Sequence, residues 1–161
     1  MKKIALLLVV ILPLFCFGQS AKKVRNNKIT SQTITKTITI DTLIITYVDT
    51  YEEFNKDGKT ITEIKYDMSG LVLRKRAYKY DSFGNVSEEL EYDKKKAKTV
   101  KRTFKYDAFD NEIEIITTDE DGKEIEKQVY TYDNNGLKET GVEYRPNGEV
   151  KWEKKYTYET R

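Results

Sequence analysis

The sequence contains no histidine and only one cysteine, and these absences exclude several classes of catalytic and metal-binding site. A chain without histidine forms no Ser-His-Asp triad and no Cys-His nucleophile pair, and it lacks the usual ligands of a zinc site. Proline occurs twice and tryptophan once, whereas charged residues make up 35% of the chain. From this composition we expect a non-enzymatic protein with no cofactor and no metal.

Residues 1–18 have the three parts of a secretory signal peptide. Two lysines supply the positive start, residues 4–12 are an unbroken apolar run, and small residues precede a cleavage site between Gly18 and Gln19. The apolar run is too short to span a bilayer comfortably, and polar sequence follows it. We therefore predict cleavage near this site and export to the periplasm, the cell surface or the exterior. The mature chain is expected to have no transmembrane segment.

The charges of the chain balance once this leader is removed. Lys2 and Lys3 belong to the leader, so the 29 basic residues fall to 27, which equals the number of acidic ones. A neutral chain has no positive field to attract a phosphate backbone, so we expect no nucleic-acid partner. The single cysteine, Cys16, also lies in the leader. A lipid anchor on Cys16 is disfavoured because Phe15 stands where a lipidation signal needs a small residue.

Glycine recurs at a spacing that reveals an internal repeat. Six glycines, with Lys96 and Asp110 in two vacant slots, follow one another at alternating intervals of 12 and 14 residues, which makes a period of 26. The six are Gly58, Gly70, Gly84, Gly122, Gly136 and Gly148. An aspartate three positions before the glycine, as in residues 81–84 (DSFG), is typical of a type I turn followed by a residue with positive φ. Each slot, including Lys96 and Asp110, therefore predicts positive φ and a three-residue hairpin loop.

One of these acidic turns, residues 119–122 (DEDG), resembles the start of a calcium-binding loop. The distal glutamate that such a loop needs is missing. Aspartate also favours turns for its own reason, since its side chain accepts hydrogen bonds from the local backbone. We therefore interpret the acidic segments as turns.

The segments between the turns predict ten antiparallel strands. Their predicted bounds are 33–40, 43–54, 60–66, 72–80, 86–92, 98–106, 112–118, 124–132, 138–144 and 150–158. Residues 29–51 are rich in threonine and isoleucine but lack aromatic motifs, so they are interpreted as capping strands ahead of a repeat region at 52–161. Residues 19–28 are polar and are expected to be a flexible N-terminus.

The parity of the aromatic residues predicts which face of the sheet they share. A three-residue loop pairs positions of equal parity, so even-numbered residues after Phe54 should stay on one face. Every aromatic residue from Phe54 onward is even-numbered except Phe83 and Phe109, which are turn residues 26 apart. The sequence therefore predicts one aromatic face and one charged face.

These patterns together predict an all-β fold. An exposed aromatic face must be covered, curled or closed in. The even-numbered positions also carry arginine and glutamate near strand centres, and such charges would be costly inside a sealed interior, although opposed pairs such as Glu88 with Arg102 would reduce the cost. We therefore predict an antiparallel meander of about ten strands, built from 26-residue double-hairpin repeats, as one open, twisted or curled sheet. A closed up-and-down barrel is the alternative.

The recurring motif Tyr-x-Tyr-Asp-x-x-Gly-Asn resembles the YD (Rhs-type) repeat. Residues 78–85 (YKYDSFGN) show it in full, 104–107 (FKYD) and 130–133 (YTYD) match its core, and 156–159 (YTYE) departs at the acid. The resemblance covers about residues 52–161. It implies winding antiparallel sheets, and it makes carbohydrate a candidate ligand, since some repeats of this family are implicated in carbohydrate binding. In large toxins such sheets form shells, but this chain has too few repeats to enclose a cargo.

Tyrosines at intervals of 26 residues are the main candidate ligand-binding residues. Strands about 4.8 Å apart would place tyrosines on every second strand about 10 Å from one another, which suits stacking against sugar rings. The candidate residues are Tyr80, Tyr106, Tyr132, Tyr158 and Trp152. We expect an exported binding module whose partner is a carbohydrate or an envelope protein. The competing interpretation is that these tyrosines are ordinary core residues.

Two other functions compete with ligand binding. The last predicted strand presents an unpaired edge with several lysines, and pairing through this edge would make the chain a structural or assembly element. Catalysis by paired carboxylates would need acids on one face of neighbouring strands, but alternating glutamate is ordinary on exposed strands. The acids that equal parity brings together are Glu112, Glu114, Glu124 and Glu126. The oligomeric state is not predicted.

Overall fold

The computed structural model describes residues 20–159, which form one short helix and ten β-strands. The predicted signal peptide lies outside these residues. In chain order the elements are α1 (Ala21–Asn26), β1 (Ser31–Ile40), β2 (Leu43–Phe54), β3 (Thr60–Tyr66), β4 (Val72–Tyr80), β5 (Val86–Asp93), β6 (Lys98–Tyr106), β7 (Glu112–Thr118), β8 (Glu124–Tyr132), β9 (Lys138–Tyr144) and β10 (Val150–Lys155). The predicted strands agree with these at most boundaries. The largest difference is at β10, which ends at Lys155 and not at 158. Within residues 20–159, no helix has the length and apolar character needed to cross a bilayer.

The strands form one antiparallel sheet whose spatial order is the chain order, β1 to β10. Each strand pairs with its neighbours in the sequence, and β1 and β10 lie at opposite edges. The predicted all-β meander and its open sheet are confirmed, and the closed barrel is wrong. A single layer buries little apolar surface, and in the described part of the chain only Val24 and Phe54 are buried apolar side chains. Cross-strand side-chain pairs on both faces must therefore supply much of the stability.

The conformation of the turns explains the regular spacing of glycine. All six glycines of the pattern have φ between 76° and 93°, a region that costs other residues about 1–2 kcal/mol. Asp110 has the predicted positive φ, at 63°. At the other vacant slot the predicted position is wrong, because the positive φ of 46° falls on Ala97 and not on Lys96. Residues 94–97 form a four-residue turn between the paired Asp93 and Lys98, so the repeat's turn geometry is interrupted there.

Aspartates at the start of the turns hold them through hydrogen bonds to the backbone. The Oδ1 atom of Asp81 accepts hydrogen bonds from three N–H groups of its own turn at 2.7 to 2.9 Å, and Asp107 accepts two in the same way. Asp119, in the loop that resembles a calcium site, accepts them from Asp121 and Lys123. These aspartate side chains accept hydrogen bonds from backbone N–H groups of the turns, which supports the interpretation of the acidic segments as turns. Residues 20–159 contain no group of three or more acidic residues arranged to hold a metal ion.

Every three-residue hairpin also contains a bulge in its second strand. Beside the turn 81–85, Tyr80 pairs with Val86 but Lys79 pairs with Glu88, so Ser87 is an extra residue. The same irregularity occurs three positions after the positive-φ residue in all seven of these hairpins. The extra residues are Ile61, Leu73, Ser87, Ile113, Ile125, Glu139 and Lys151. The four-residue turn 94–97 lacks this bulge.

The bulges exchange the faces, so the prediction that all even-numbered aromatic residues share one face is wrong. An extra residue shifts the alternation by one position for the rest of the strand. Beyond the bulges, even-numbered residues of β4, β6, β8 and β10 therefore share a face with odd-numbered residues of β3, β5, β7 and β9. We name this the arginine face after Arg74, Arg76 and Arg102, and the other the lysine face after Lys79, Lys101, Lys105 and Lys127.

The aromatic residues are divided between these two faces. The predicted site residues Tyr80, Tyr106, Tyr132 and Trp152 belong to strands whose even-numbered positions lie on the arginine face. Among the other even-numbered tyrosines of the repeat strands, Tyr78 and Tyr130 also lie on the arginine face, whereas Tyr66, Tyr92 and Tyr144 lie on the lysine face. Neither face is purely aromatic or purely charged.

Helix α1 packs against the turn 55–59. Within the segment 19–28, for which the sequence predicts a flexible N-terminus, residues 21–26 form this helix, and Val24 is fully buried. A Cβ atom at Gly58 would overlap the carbonyl oxygen of Ala21 and lie 2.9 Å from the backbone N of Arg25. The absence of a side chain at Gly58 therefore permits the contact. One apolar residue in a polar segment produces no periodic pattern, so the sequence does not reveal the helix.

The lysine face carries two equivalent ion-pair groups. Glu88 lies 2.6 Å from Lys79 and 3.0 Å from Lys101. Twenty-six residues later, Glu114 is held between two lysines of β6 and β8 at 2.5 and 2.8 Å. Hydrogen bonds from these lysines lower the pKa values of Glu88 and Glu114 below their ordinary value.

We expect acid to weaken the wild-type fold more than it weakens the double variant Glu88→Gln, Glu114→Gln. The pKa of each carboxyl is lower in the folded chain than in the unfolded chain, where it is about 4.3. Such a group contributes stability that is complete above the unfolded pKa and is lost as pH falls through the folded pKa. Urea unfolding between about pH 7 and pH 3 measures this, as a shallower fall in the free energy of unfolding for the variant. Equal pH dependence in the two chains would contradict the prediction.

Candidate ligand-binding site

Three of the predicted tyrosines stand at equivalent positions on one edge of the sheet. Tyr80, Tyr106 and Tyr132 are the last residues of β4, β6 and β8, directly before a turn. A meander brings every second turn to the same end of the strands. We name the row of four turns at this end the turn edge, which is distinct from the edge strands β1 and β10; it comprises residues 55–59, 81–85, 107–111 and 133–137. The fourth tyrosine, Tyr158, lies beyond the end of β10 and is 51% exposed.

Each of these four tyrosines uses its hydroxyl to stabilise a bulge. The hydroxyl donates to the backbone carbonyl of the residue 20 positions earlier, which directly precedes an extra residue. The bonds run from Tyr80 to Thr60 (2.6 Å), from Tyr106 to Val86 (2.9 Å), from Tyr132 to Glu112 (2.8 Å) and from Tyr158 to Lys138 (2.8 Å). Because a bulge disrupts the ladder locally, the hydroxyl supplies a donor from the neighbouring strand. The tyrosines therefore have a structural role in the repeat.

The bonded hydroxyls have little left to offer a ligand as donors. Burial raises the pKa values of Tyr80, Tyr106 and Tyr132, so the hydroxyls remain protonated and keep donating to the backbone. Their rings are half-buried. What these residues still provide is ring surface beside the turn edge.

A groove of about 620 Å³ lies between two neighbouring turns of the turn edge, residues 107–111 and 133–137. Tyr132 and Phe109 line it. The rest of the lining is rich in carboxylate and amide groups, from Asp107, Asn111, Asp133, Asn134 and Asn135. A few polar groups around aromatic rings are typical of sites that bind small hydroxyl-bearing molecules.

Phe109 is almost fully exposed beside this groove. Its side chain is 85% exposed, and Phe83, at the equivalent turn position 26 residues earlier, is 84% exposed. The sheet gains nothing from packing either ring. The sequence does distinguish these two residues, since Phe83 and Phe109 are its two odd-numbered aromatic residues after Phe54. The 26-residue spacing of the tyrosines does not select them.

A second groove, of about 470 Å³, lies between the turns 55–59 and 81–85, with α1 at one side. Tyr80 and Phe83 line it, and Lys22, Arg25 and Lys59 make it more basic than the first groove. Lys59 is already engaged, because its Nζ atom lies 5.1 Å from the centre of the Tyr80 ring and donates to a backbone carbonyl of the turn 81–85.

A hydrogen bond joins the two turns that lie between the two grooves. Asn85 Nδ2 donates to Asp110 Oδ1 at 2.9 Å, which joins the turns 81–85 and 107–111. The turn edge therefore presents two grooves on either side of a bridged pair of turns. Tyr106 and Tyr158 are not among the residues that line either groove.

Trp152 belongs to a different part of the sheet. Its indole N–H donates to Glu143 Oε2 at 2.6 Å, and the Nζ atom of Lys154 lies 4.6 Å from its ring. Trp152 is close to the start of β10, at the opposite edge from the turn edge. The absence of a side chain at Gly141 makes room here, because a Cβ there would lie 3.0 Å from the Tyr130 ring and 3.6 Å from Trp152. The structure does not bring Trp152 together with the tyrosines of the turn edge.

The arginine face also carries a charged network near the middle of the sheet. Arg76 lies 2.6 Å from Glu91 and 3.4 Å from Glu89, and Arg102 lies 3.0 Å from Glu89. Glu91 is only 6% exposed. The expected pairing of Glu88 with Arg102 is wrong, because the bulge places Glu89 opposite Arg102 instead. Within this network the arginine and glutamate charges neutralise one another.

The glutamates considered for paired-carboxylate chemistry are not brought together. Glu114 is on the lysine face between two lysines, whereas Glu126 is on the arginine face, 3.8 Å from Lys151. Burial raises the pKa of Glu112, which lies beside the turn edge, and Glu124 begins β8 at the other edge. The expectation that the four share one face is wrong because the bulges separate them.

Some solved structures resemble this chain, but no protein-family model and no curated protein matches it. A porin-like protein from Bacteroides uniformis is 18% identical over 80% of this chain and 45% of its own, with a TM-score of 0.41. A chain of a TcdB2-TccC3-Cdc42 complex is 15% identical over 70% of this chain and 8% of its own, with a TM-score of 0.35. A protein of unknown function from Bacteroides fragilis is 14% identical over 81% and 96%, with a TM-score of 0.33. The chain spans less than half the length of the first two, and these values assign it no family, ligand or partner.

Proposed function

We propose that the chain is an exported, non-enzymatic binding module that contacts carbohydrate through the turn edge. The observation that supports this best is Phe109, whose exposed ring stands beside a groove lined by carboxylate and amide groups. A ring face combined with acceptors and donors suits a sugar, which has apolar C–H faces and hydroxyl groups around its rim. The proposed location is the periplasm, the cell surface or the exterior, after cleavage near Gly18–Gln19.

The charges of the first groove narrow the kind of carbohydrate. Asp107 and Asp133 line it, and hydrogen bonds from Asn111 lower the pKa of Asp107, so this carboxylate is negative at neutral pH. An anionic sugar would be repelled there. We therefore propose a neutral or amino sugar for the first groove.

We further propose that residues 52–161 are repeats of the YD (Rhs-type) kind. The support comes from the roles of the motif residues, taken with their sequence. In the motif at 78–85, Tyr80 stabilises the neighbouring bulge, Asp81 accepts the hydrogen bonds of the turn, and Gly84 takes positive φ. One motif thus combines a bulge, a turn and a strand end, which is a physical reason for its recurrence.

Replacing Phe109 by alanine is expected to weaken binding to a neutral polysaccharide about fivefold, because a stacked aromatic ring contributes on the order of 1 kcal/mol. The measurement is titration of labelled protein against an array of neutral, amino and acidic glycans. Met68→Ala is the matched control, since Met68 is an exposed apolar turn residue, 52% exposed, at the opposite edge. Binding that survives Phe109→Ala, or that falls equally in Met68→Ala, would contradict the proposal.

A second variant tests the role of the Tyr132 hydroxyl separately from that of the Tyr132 ring. Tyr132→Phe keeps the ring in the groove but removes the bond to the carbonyl of Glu112. If the hydroxyl is structural, this variant binds glycan as the wild type does and loses about 1 kcal/mol of stability. A binding loss without a stability loss would instead make the hydroxyl a ligand contact.

Assembly through the last strand remains the alternative function. β10 is at the edge of the open sheet, so its outer backbone groups are unpaired within the described residues. Lys154 and Lys155 stand on this strand, and lysine on an edge strand discourages pairing with further strands. An envelope protein with an acidic strand is the partner that this edge would accept.

A further inference from the structure

The first hairpin projects beyond the rest of the sheet. β2 pairs with β3 only at residues 50–54, whereas its residues 43–48 pair only with β1. Residues 35–48 therefore form a two-stranded ribbon, about 20 Å long at about 3.4 Å per residue. A lone two-stranded hairpin is marginally stable in water, so this ribbon lacks the support that the other strands have.

The ribbon is apolar and exposed near its tip. Four large apolar side chains are exposed there, Ile40 (48%), Leu43 (62%), Ile44 (68%) and Val48 (40%). The charged residues of 35–48 are Lys36 and Asp41, one of each sign. Neither of them lies on the segment 43–48 (LIITYV), which also contains no proline or glycine. Segments of this composition pair readily with other strands.

The free edges of the sheet differ in their protection. The outer edge of β1 carries Lys36 at its centre, and the outer edge of β10 carries Lys154 and Lys155. Charged residues, lysine above all, are the usual protection of an edge strand. The edge that β2 exposes at 43–48 carries no charge at all. Of the edges in the described part of the chain, this one is built to accept a strand.

The sequence of this edge is complementary to itself. An antiparallel pairing of two copies centred on Thr46 places Ile44 opposite Val48 and Ile45 opposite Tyr47. Apolar and aromatic residues then face β-branched residues, which is the favourable kind of cross-strand pair, and no like charges meet. The arrangement has two-fold symmetry and uses the edge of both copies, so it ends at a dimer.

From these observations we propose that the chain forms a two-fold dimer by antiparallel pairing of residues 43–48 with the same segment of a second copy. The pairing joins the two ribbons into one four-stranded sheet and covers Ile44 and Val48. It lies at the edge opposite the turn edge, so it leaves both grooves free. The proposal is independent of carbohydrate binding, and Phe109→Ala should dimerise like the wild type.

The test compares two lysine substitutions on the same hairpin by sedimentation velocity over a range of concentrations. Thr46→Lys brings two positive charges together on the symmetry axis, so we expect the dimer dissociation constant to rise at least about tenfold. Thr37→Lys is the matched control. Thr37 is the cross-strand partner of Thr46, and their hydroxyls share one hydrogen bond of 2.8 Å, so both variants lose the same bond. Only Thr46→Lys places its charge at the proposed interface.

A second measurement distinguishes this pairing from association through β10. Hydrogen exchange of the wild type should show protection of residues 43–48 that grows with concentration, and no such change at Val150–Lys155. Support for the proposal is a wild-type dimer that Thr46→Lys dissociates and Thr37→Lys does not. A monomeric wild type, equal weakening by both variants, or concentration-dependent protection confined to β10 would each overturn it.

Discussion

Replacing Glu91 by alanine is expected to lower the free energy of unfolding by about 2 kcal/mol. The carboxylate of Glu91 is almost fully buried on the arginine face, 2.6 Å from Arg76 and 3.9 Å from Arg102. Its removal leaves two guanidinium groups on either side of β5 with Glu89 as their remaining partner. Breaking one side of a buried pair costs about 3–5 kcal/mol, and the partial exposure of both arginines reduces that cost. Urea unfolding at neutral pH, followed by circular dichroism, measures the loss.

Glu88→Ala is the matched control for this prediction. Glu88 is on the same strand and also lies between two basic side chains, Lys79 and Lys101, but its side chain is 25% exposed on the lysine face. Exposed ion pairs contribute at most about 1 kcal/mol, so the loss should be less than half of that in Glu91→Ala. Equal losses would mean that burial on the arginine face does not set the strength of the network.

Replacing Gly58 by alanine is expected to lower the free energy of unfolding by about 3 kcal/mol. Two costs combine at this position. The residue has a φ of +78°, and its added Cβ would overlap the backbone of α1 at Ala21. The helix must move away or the turn must change, and either removes Val24 from its buried site. Thermal unfolding measures the total, and hydrogen exchange of residues 21–26 reports the detachment of the helix.

Gly148→Ala isolates the backbone cost alone. Gly148 has a φ of +83°, and a Cβ there would have no atom within 4 Å. This variant should lose only the strain of positive φ, about 1 kcal/mol, and should leave α1 unchanged. Similar losses in the two variants would show that α1 does not depend on close approach at Gly58.

The turns are the part of this fold that its sequence predicts best, because their signals are local. Gly84 must accept positive φ, and the partners of Asp81 lie within four residues of it. Both requirements act inside one short segment, so the residue types alone identify it. The strand boundaries then follow from the turns. The missed position at residues 94–97 has no glycine. Asp93 stands three positions before Lys96 and accepts a hydrogen bond from its N–H at 3.1 Å, so this aspartate alone does not distinguish the four-residue turn from the three-residue loops.

Parity does not predict the faces of the sheet, because a bulge inserts one extra residue and so shifts the alternation of side chains along the rest of the strand. The signal for it is an apolar residue out of alternation directly after a turn, as at Ile61, Leu73, Ile113 and Ile125. On strictly alternating strands these four aliphatic residues would have joined the charged face. They indicate the bulges only once the pairing is known.

The candidate site was predictable in position but not in chemistry. The 26-residue spacing correctly places Tyr80, Tyr106 and Tyr132 on one face at one edge. The partner of each hydroxyl is a backbone carbonyl on the neighbouring strand, and its position depends on the bulge. The grooves form between turns that are two strands apart, which no local pattern describes. The exposed ring of Phe109, and not a tyrosine hydroxyl, is therefore the main candidate contact for a ligand.

The chain-order arrangement of the strands has a consequence for how the molecule folds. Within residues 20–159, substantial contacts between elements occur only between strands that are consecutive in the sequence. No distant segments have to meet before a hairpin can form, so the entropy lost in closing each loop is small. Folding can nucleate at any strong hairpin and spread outward in both directions, as in a one-dimensional array of coupled units. Unfolding by the same logic begins at the two ends, where each terminal strand has one neighbour instead of two.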